Sequence, residues 1–274
     1  MVLLGNRIDL KDWKREALEN VKWHLSRREF LRAALVGAAA AAGTSLLPRR
    51  LLPVAWGQER PGSPKPVKTG TFFFPRLMFH VKDETGDQWN TDPIGDVILR
   101  KKLAELTNLN VSQDPIVVKL ADLENMCRYP FVFATSEGYF DLPKNEEQNL
   151  REFLMRGGFV HADDCVLGRT GDRFFRDYVK MMNRLFPDNP MRLVPKEHEL
   201  YHCYFDFPGG AVYLQGNQSL GGDYGLFEKG TGRIMTLCTP WDYHCGWCCT
   251  WFTKEQNEAA IRMGINIIIY YLTH

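Results

Sequence analysis

Gly157-Gly158-Phe159-Val160-His161-Ala162-Asp163-Asp164-Cys165 decides how the chain is read. Glycine readily takes the left-handed turn that closes a helix, so a helix is expected to end at the glycine pair. The short apolar run that follows suits a strand buried on both faces. It stops at two adjacent carboxylates and a thiol. Ligands of open α/β sheets bind just past the carboxyl ends of the strands, so Asp163 and Asp164 stand where such folds keep their chemistry.

Outward from this stretch, strands alternate with helices. Upstream, Thr71–Phe79 reads as a strand in which Pro75 forces a bulge or an edge position. Pro93 suits the first turn of a helix reaching about Leu106, with Asp92 as its cap. Ile116–Val118 and Pro130–Thr135 are strands, and a helix with Leu150, Phe153 and Leu154 at core spacing follows Pro143. Downstream, Phe174–Phe186 is helical and stops at Pro187. Leu200–Phe205 and Ala211–Leu214 are short strand candidates, and Arg233–Cys238 is another strand. The last helix opens on Thr253 and Gln256, a capping box, and closes on the apolar run Ile265–Leu272. This alternation predicts a three-layer α/β domain, a mostly parallel sheet with helices on both faces.

The 274 residues divide into a signal segment at 1–57, a proline-rich linker at 58–70 and a single domain at 71–274. Ser26-Arg27-Arg28-Glu29-Phe30-Leu31-Arg32, followed by the mild apolar stretch Ala33–Leu47, matches a twin-arginine export signal. The apolar stretch is shorter than the about 20 residues a membrane-spanning helix needs, so no span is expected in the mature chain. Ala55-Trp56-Gly57 resembles a cleavage site, and residues 8–25 read as an amphipathic leader helix. The expected partner is the twin-arginine machinery and the expected location is the periplasm or cell envelope. Residues 58–274 carry 24 basic and 28 acidic side chains, which argues against a nucleic-acid partner.

From about Thr71 to the end, the chain resembles the bacterial family called domain of unknown function 4159. The resemblance rests on Phe74-Pro75-Arg76-Leu77, Trp89-Asn90-Thr91-Asp92-Pro93, Tyr129-Pro130-Phe131, Gly157-Gly158-Phe159 with Asp163-Asp164-Cys165, Phe186-Pro187, Glu197-His198, and Trp241-Asp242 with Cys245-Gly246-Trp247. It implies a flavodoxin-like, class I glutamine amidotransferase-like architecture and no particular activity. Two motifs depart from the family. Ser136-Glu137-Gly138 stands where Gly-His-Gly is usual, and Glu197-His198-Glu199 where Asp-His-Pro is usual.

No cysteine sits in a Gly-x-Cys-x-Gly elbow, and Ser136 lacks the helix that must follow a nucleophile elbow at once. The strand-end carboxylates Asp163, Glu137 and Asp242, with His198, form the candidate catalytic set for general acid–base work. Trp89, Asp164, Trp241 and His244 form the candidate ligand-binding set, in which aromatic faces and acceptors suit a sugar ring or other small molecule. The bland reading is that the aspartates cap helices and the aromatics pack loops. The same oxygens can hold a hard cation, and His244, Cys245, Cys248 and Cys249 offer zinc-type ligands. Seven cysteines in an oxidising compartment also raise a disulfide, with Cys245 and Cys248 close in sequence. No motif names a cofactor.

Two functional readings therefore stand. One is a ligand-binding or scaffolding module that keeps an amidotransferase-like fold without its nucleophile. The other is a hydrolase-type enzyme using the strand-end carboxylates and His198, on a carbohydrate and with or without a metal. The export reading has a direct test. Changing Arg27 and Arg28 together to Lys is expected to hold the protein in the cytoplasm, as measured by cell fractionation; normal export of the double variant would rule out the twin-arginine route.

Overall fold

The computed structural model describes residues 70–81, 88–166, 168 and 171–274. The leader, the twin-arginine motif and linker residues 58–69 lie outside the described residues. The strands are β1 (Thr71–Phe72), β2 (Pro75–Met78), β3 (Asn110–Val111), β4 (Ile116–Lys119), β5 (Phe131–Ser136), β6 (Phe159–Asp164), β7 (Arg192–Leu193), β8 (Tyr224–Phe227) and β9 (Ile234–Thr239). The helices are α1 (Ile94–Leu106), α2 (Leu123–Met126), α3 (Lys144–Met155), α4 (Arg173–Leu185), α5 (Tyr243–Trp247) and α6 (Lys254–Thr273).

Seven strands form one sheet in the order β4-β2-β5-β6-β9-β8-β7. The first five are parallel, while β8 runs antiparallel to β9 and β7 to β8. Side chains alternate between the faces of a strand. Phe131 and Phe133 of β5 enter one core with α1, α5 and α6, while Val132 and Ala134 enter the other with α3 and α4. The result is the three-layer, mostly parallel α/β arrangement that the alternation of elements predicts.

Several local expectations are corrected. The strand expected at 71–79 is split: β1 pairs with β3 in a separate two-stranded sheet, and β2 lies inside the large sheet between β4 and β5. Pro75 is tolerated there because it is the first residue of β2. The N-cap of α1 is Pro93 rather than Asp92, and no side chain caps that helix. The candidate strands at 200–205 and 211–214 do not form. Asn266, the one amide in the apolar run of α6, donates to the carbonyls of Leu200 and Phe205 and accepts from the Phe205 amide. That side chain satisfies the backbone that a strand partner would otherwise have met. The Tyr243 hydroxyl likewise accepts the Val212 amide at 2.9 Å. The sheet is extended instead by β8 and β7, short segments beside glycines that carry little strand character.

Gly95 lets α1 lie directly against α5. A Cβ there would stand 2.8 Å from the His244 carbonyl oxygen and 2.9 Å from its Nε2. We expect Gly95→Ala to destabilise the fold by roughly 1–3 kcal/mol through this overpacking, measured by urea unfolding. A neutral or stabilising result would mean that α5 can move away from α1 at no cost.

Candidate functional site

The carboxyl ends of β5, β6 and β9 lie side by side, with Thr135 paired to Asp163 and Asp163 to Thr239. Asp163 points to the α5 side. Its carboxylate accepts the Tyr243 amide at 3.3 Å, the His244 amide at 2.8 Å and the Thr239 hydroxyl. It therefore caps α5 from a neighbouring strand, a role the formal N-cap residue Asp242 does not fill. Asp164 points to the opposite face and accepts the Phe175 amide at 2.7 Å, capping α4. Two consecutive strand residues thus serve two helices on two faces.

Asp242 occupies the left-handed region at φ 65 between β9 and α5. One of its oxygens accepts from Gln215, and the other, Oδ1, is buried without a hydrogen-bond partner. Burial raises the pKa of Asp163, and the nearby charge of Asp242 raises it further. Burial also raises Asp242. So Asp163 and Asp242 share one end of the sheet, as their strand ends predict.

A second cluster, absent from the sequence-based candidate sets, adjoins them. Arg76 of β2 is only 2% exposed. Its Nε and Nη2 bind the two oxygens of Asp96 at 2.9 and 2.6 Å, and its Nη1 donates to the carbonyls of Trp89 and Thr91, each at 3.1 Å. Burial alone would raise the Asp96 pKa; Arg76 and His244 outweigh it and hold it at about 2. Arg76 Nη2 also stands 2.9 Å from His244 Nε2. Arginine only donates, so this contact suits a neutral ring with its proton on Nδ1, whereas the Asp96 Oδ1 oxygen 3.5 Å from the same Nε2 favours an Nε2–H. Burial and Arg76 oppose a charge on His244, while Asp96 and the Cys165 thiol favour one and bring its pKa to about 9. Charging the ring would set an N–H against an Arg76 donor, so protonation and the Arg76 contact exclude each other. His161 is also buried, and burial followed by the field of His244 lowers its pKa to about 3.

The other candidates fall elsewhere. His198 accepts the Leu200 amide at 3.1 Å and its ring packs on Phe227, which pairs with Ile234 at the amino end of β9. It is therefore at the opposite end of the sheet from Asp163 and cannot join it in acid–base work. Glu137 follows β5 at the carboxyl rim, half-buried. Ser136 accepts the Gly138 amide at 2.9 Å, as a turn residue does. Trp241, Tyr243, His244 and Trp247 are core residues, so their faces are not open to a sugar ring. Trp89 is half-buried and supplies its carbonyl to Arg76. Cys245 lies inside α5, which starts at Tyr243. Cys245 meets Cys165 at 3.5 Å, whereas the Cys248 thiol donates to the His244 carbonyl at 3.3 Å. The expected pairing of Cys245 with Cys248 is thus replaced by a contact with the thiol that ends the opening stretch.

Taken together, this is an α/β protein in which Asp163 and Asp164 cap helices and the Arg76–Asp96 pair is buried. It belongs to the family described as Domain of unknown function (DUF4159), whose model matches residues 77–272. No curated protein matches the chain. A solved structure similar to it is the exo-beta-1,4-mannosidase Op5Man5 from Opitutaceae bacterium strain TAV5, at 12% identity and a TM-score of 0.34. The match covers 73% of this chain and 35% of the mannosidase.

Asp223 gives a test of the buried acids. Burial raises its pKa to about 7, against the lowering effect of Tyr201, Trp241 and Tyr243. An acid whose folded pKa lies above its unfolded value stabilises the fold below the unfolded pKa and loses that contribution as pH rises. The loss for Asp223 runs from the ordinary 3.8 to about 7. His161 has the opposite sign, so the clean readout is a difference. We expect the wild type to lose stability relative to Asp223→Asn as pH rises from 4 to 7, followed by denaturant unfolding. A difference independent of pH would mean that Asp223 is ionised in the fold throughout that range.

Proposed function

We propose that this chain is an exported, non-catalytic binding module on a flavodoxin-like scaffold of the class I glutamine amidotransferase kind. The observation that carries the non-catalytic reading is the double capping by Asp163 and Asp164. Oxygens that hold helix N–H groups in buried positions are poorly placed to exchange protons with a substrate. With His198 at the other end of the sheet, the set of Asp163, Glu137, Asp242 and His198 does not come together.

The scaffold reading is supported by strand order. Numbered by appearance in the large sheet, the five parallel strands run 2-1-3-4-5, the doubly wound order of flavodoxin-type folds. The export reading is supported by Arg27-Arg28 and the apolar stretch behind them. The twin-arginine machinery then delivers the chain to the periplasm or cell envelope. No helix among the described residues is long and apolar enough to cross a membrane.

A ligand position is supported by an open groove of about 590 Å³ beside the loop that follows β5, lined by Tyr139, Asp141, Asp177, Lys180, Met181 and Arg184. That volume suits a small molecule. Tyr139 is 40% exposed with the Arg173 guanidinium over its ring at 4.9 Å, and the acidic and basic groups around it suit a ligand's hydroxyls. The groove supports a carbohydrate or other small polar ligand better than the buried tryptophans do.

We expect at least one member of a panel of hexose and N-acetylhexosamine disaccharides to bind by calorimetry. Tyr139→Ala should weaken that ligand by at least about tenfold, while Asp163→Asn leaves it unchanged, since a groove ring is worth on the order of 1.4 kcal/mol or more. Nitrophenyl glycosides, esters and anilides should not be turned over. Turnover that disappears in a folded Asp163→Asn variant would overturn the non-catalytic reading.

A further inference from the structure

Three side chains that the double-capping scheme does not use meet at the carboxyl end of β6 and β9. They are Cys165, just past β6, Asp242 before α5, and Cys245 inside α5. Their ligand atoms all lie within 4.8 Å of one another. Cys165 and Asp242 are buried and Cys245 is half-buried. Asp242 Oδ1 is one of the few buried polar atoms among the described residues with no hydrogen-bond partner. A buried carboxylate oxygen left unmet costs about 1–3 kcal/mol or more, so it calls for a partner.

We infer that Cys165, Cys245 and Asp242 form a binding site for a thiophilic divalent cation of the zinc type, with one coordination position left open.

The two thiols are free and close enough to share a metal. Two thiolates on a tetrahedral zinc, each at about 2.3 Å, lie about 3.8 Å apart. The two sulfurs are 3.5 Å apart, near that value. The donor set is also suitable, because two thiolates select zinc over hard cations and a carboxylate completes three protein ligands. Asp242 is held by Gln215 through its other oxygen, which leaves Oδ1 for the ion.

His244 fits a supporting role. Its Nε2 is held between Arg76 at 2.9 Å and Asp96 at 3.5 Å, so that nitrogen is not offered to the ion. The Cys165 thiol is near enough to influence the ring, and an Nδ1–H directed at a metal-bound thiolate would orient it. Binding expels a proton from each thiol. The earlier zinc set of His244, Cys245, Cys248 and Cys249 does not assemble, since His244 and Cys248 are turned to other partners.

The inference does not rest on the binding-module reading and fails separately from it. The test is cobalt titration of the full exported chain after chelator treatment and reduction. One equivalent of Co²⁺ is expected to give a thiolate-to-metal charge-transfer band, which one equivalent of Zn²⁺ then removes. Cys245→Ser should lose most of the band and Asp242→Asn should weaken cobalt binding by at least about tenfold. Cys127→Ser, which alters an exposed thiol, should change neither. Should Cys245→Ser not fold, the wild-type titration still decides. Folded, reduced wild-type protein giving no charge-transfer band would overturn the site, as would a Cys165–Cys245 disulfide found by mass spectrometry in protein taken directly from the envelope.

Discussion

A guanidinium buried almost completely is the constraint around which this fold closes. Removing such a charge from water is costly, so Arg76 holds its place only with its donors met and its charge matched. Asp96 supplies the charge and two acceptors from α1. Trp89 and Thr91 supply carbonyls from the preceding loop, and His244 Nε2 of α5 stands 2.9 Å away. The Phe133 ring lies under the guanidinium, 5.0 Å from its carbon. One side chain thus fixes β2, α1, the 88–92 loop and α5 relative to one another. Gly95 is the steric counterpart of that lock, because α1 must approach α5 closely for Asp96 and His244 to share the same arginine.

The helix caps follow from this closure. Once α5 is drawn onto the sheet, its first amides face the end of β6, and Asp163 is the acceptor waiting there. Asp164, one residue on, faces the other layer and finds α4. Adjacent aspartates at a strand end resemble an active site in sequence because catalysis and capping require the same residue type at the same place. Only the direction of nearby N–H groups separates the two, and those come from residues 11 and about 80 positions away.

That distinction marks how much of the molecule is legible from sequence. The parallel strands and long helices are, because period and length are local properties: β5, β6, β9 and α6 lie close to where their apolar runs put them. The capping box at Thr253 is local too, and both of its bonds are present. The paired placement of Asp163 and Asp242 follows from parallel strands ending at one rim. The identity of β7 and β8 does not follow, since a two-residue strand and one containing Gly225 take their structure from the neighbour they pair with. Nor does the Arg76–Asp96 pair, whose members are 20 residues apart with no periodic relation. A charged residue inside Phe-Pro-Arg-Leu-Met was the available signal, because an arginine in an otherwise apolar strand must find a partner.

Seven buried side-chain atoms among the described residues lack a hydrogen-bond partner. Trp241 Nε1 and Asp242 Oδ1 belong to the turn that joins β9 to α5 and His244 Nδ1 to the first turn of α5, while Arg100 Nε, Thr135 Oγ1, Asp223 Oδ1 and Asn257 Oδ1 lie elsewhere. The same turn holds Asp242 in left-handed backbone and brings Cys245 to Cys165. Elsewhere the core solves its polar demands with care: one asparagine serves three backbone groups, and one arginine reaches four partner residues. Around Asn266 and Arg76 the buried groups are met, whereas residues 241–244 alone carry three of the seven open atoms. Such local exceptions collect where a fold binds something, because a group reserved for a ligand is withheld from its neighbours. The β9–α5 turn, rather than the strand-end aspartates that first draw the eye, is where that reasoning leads.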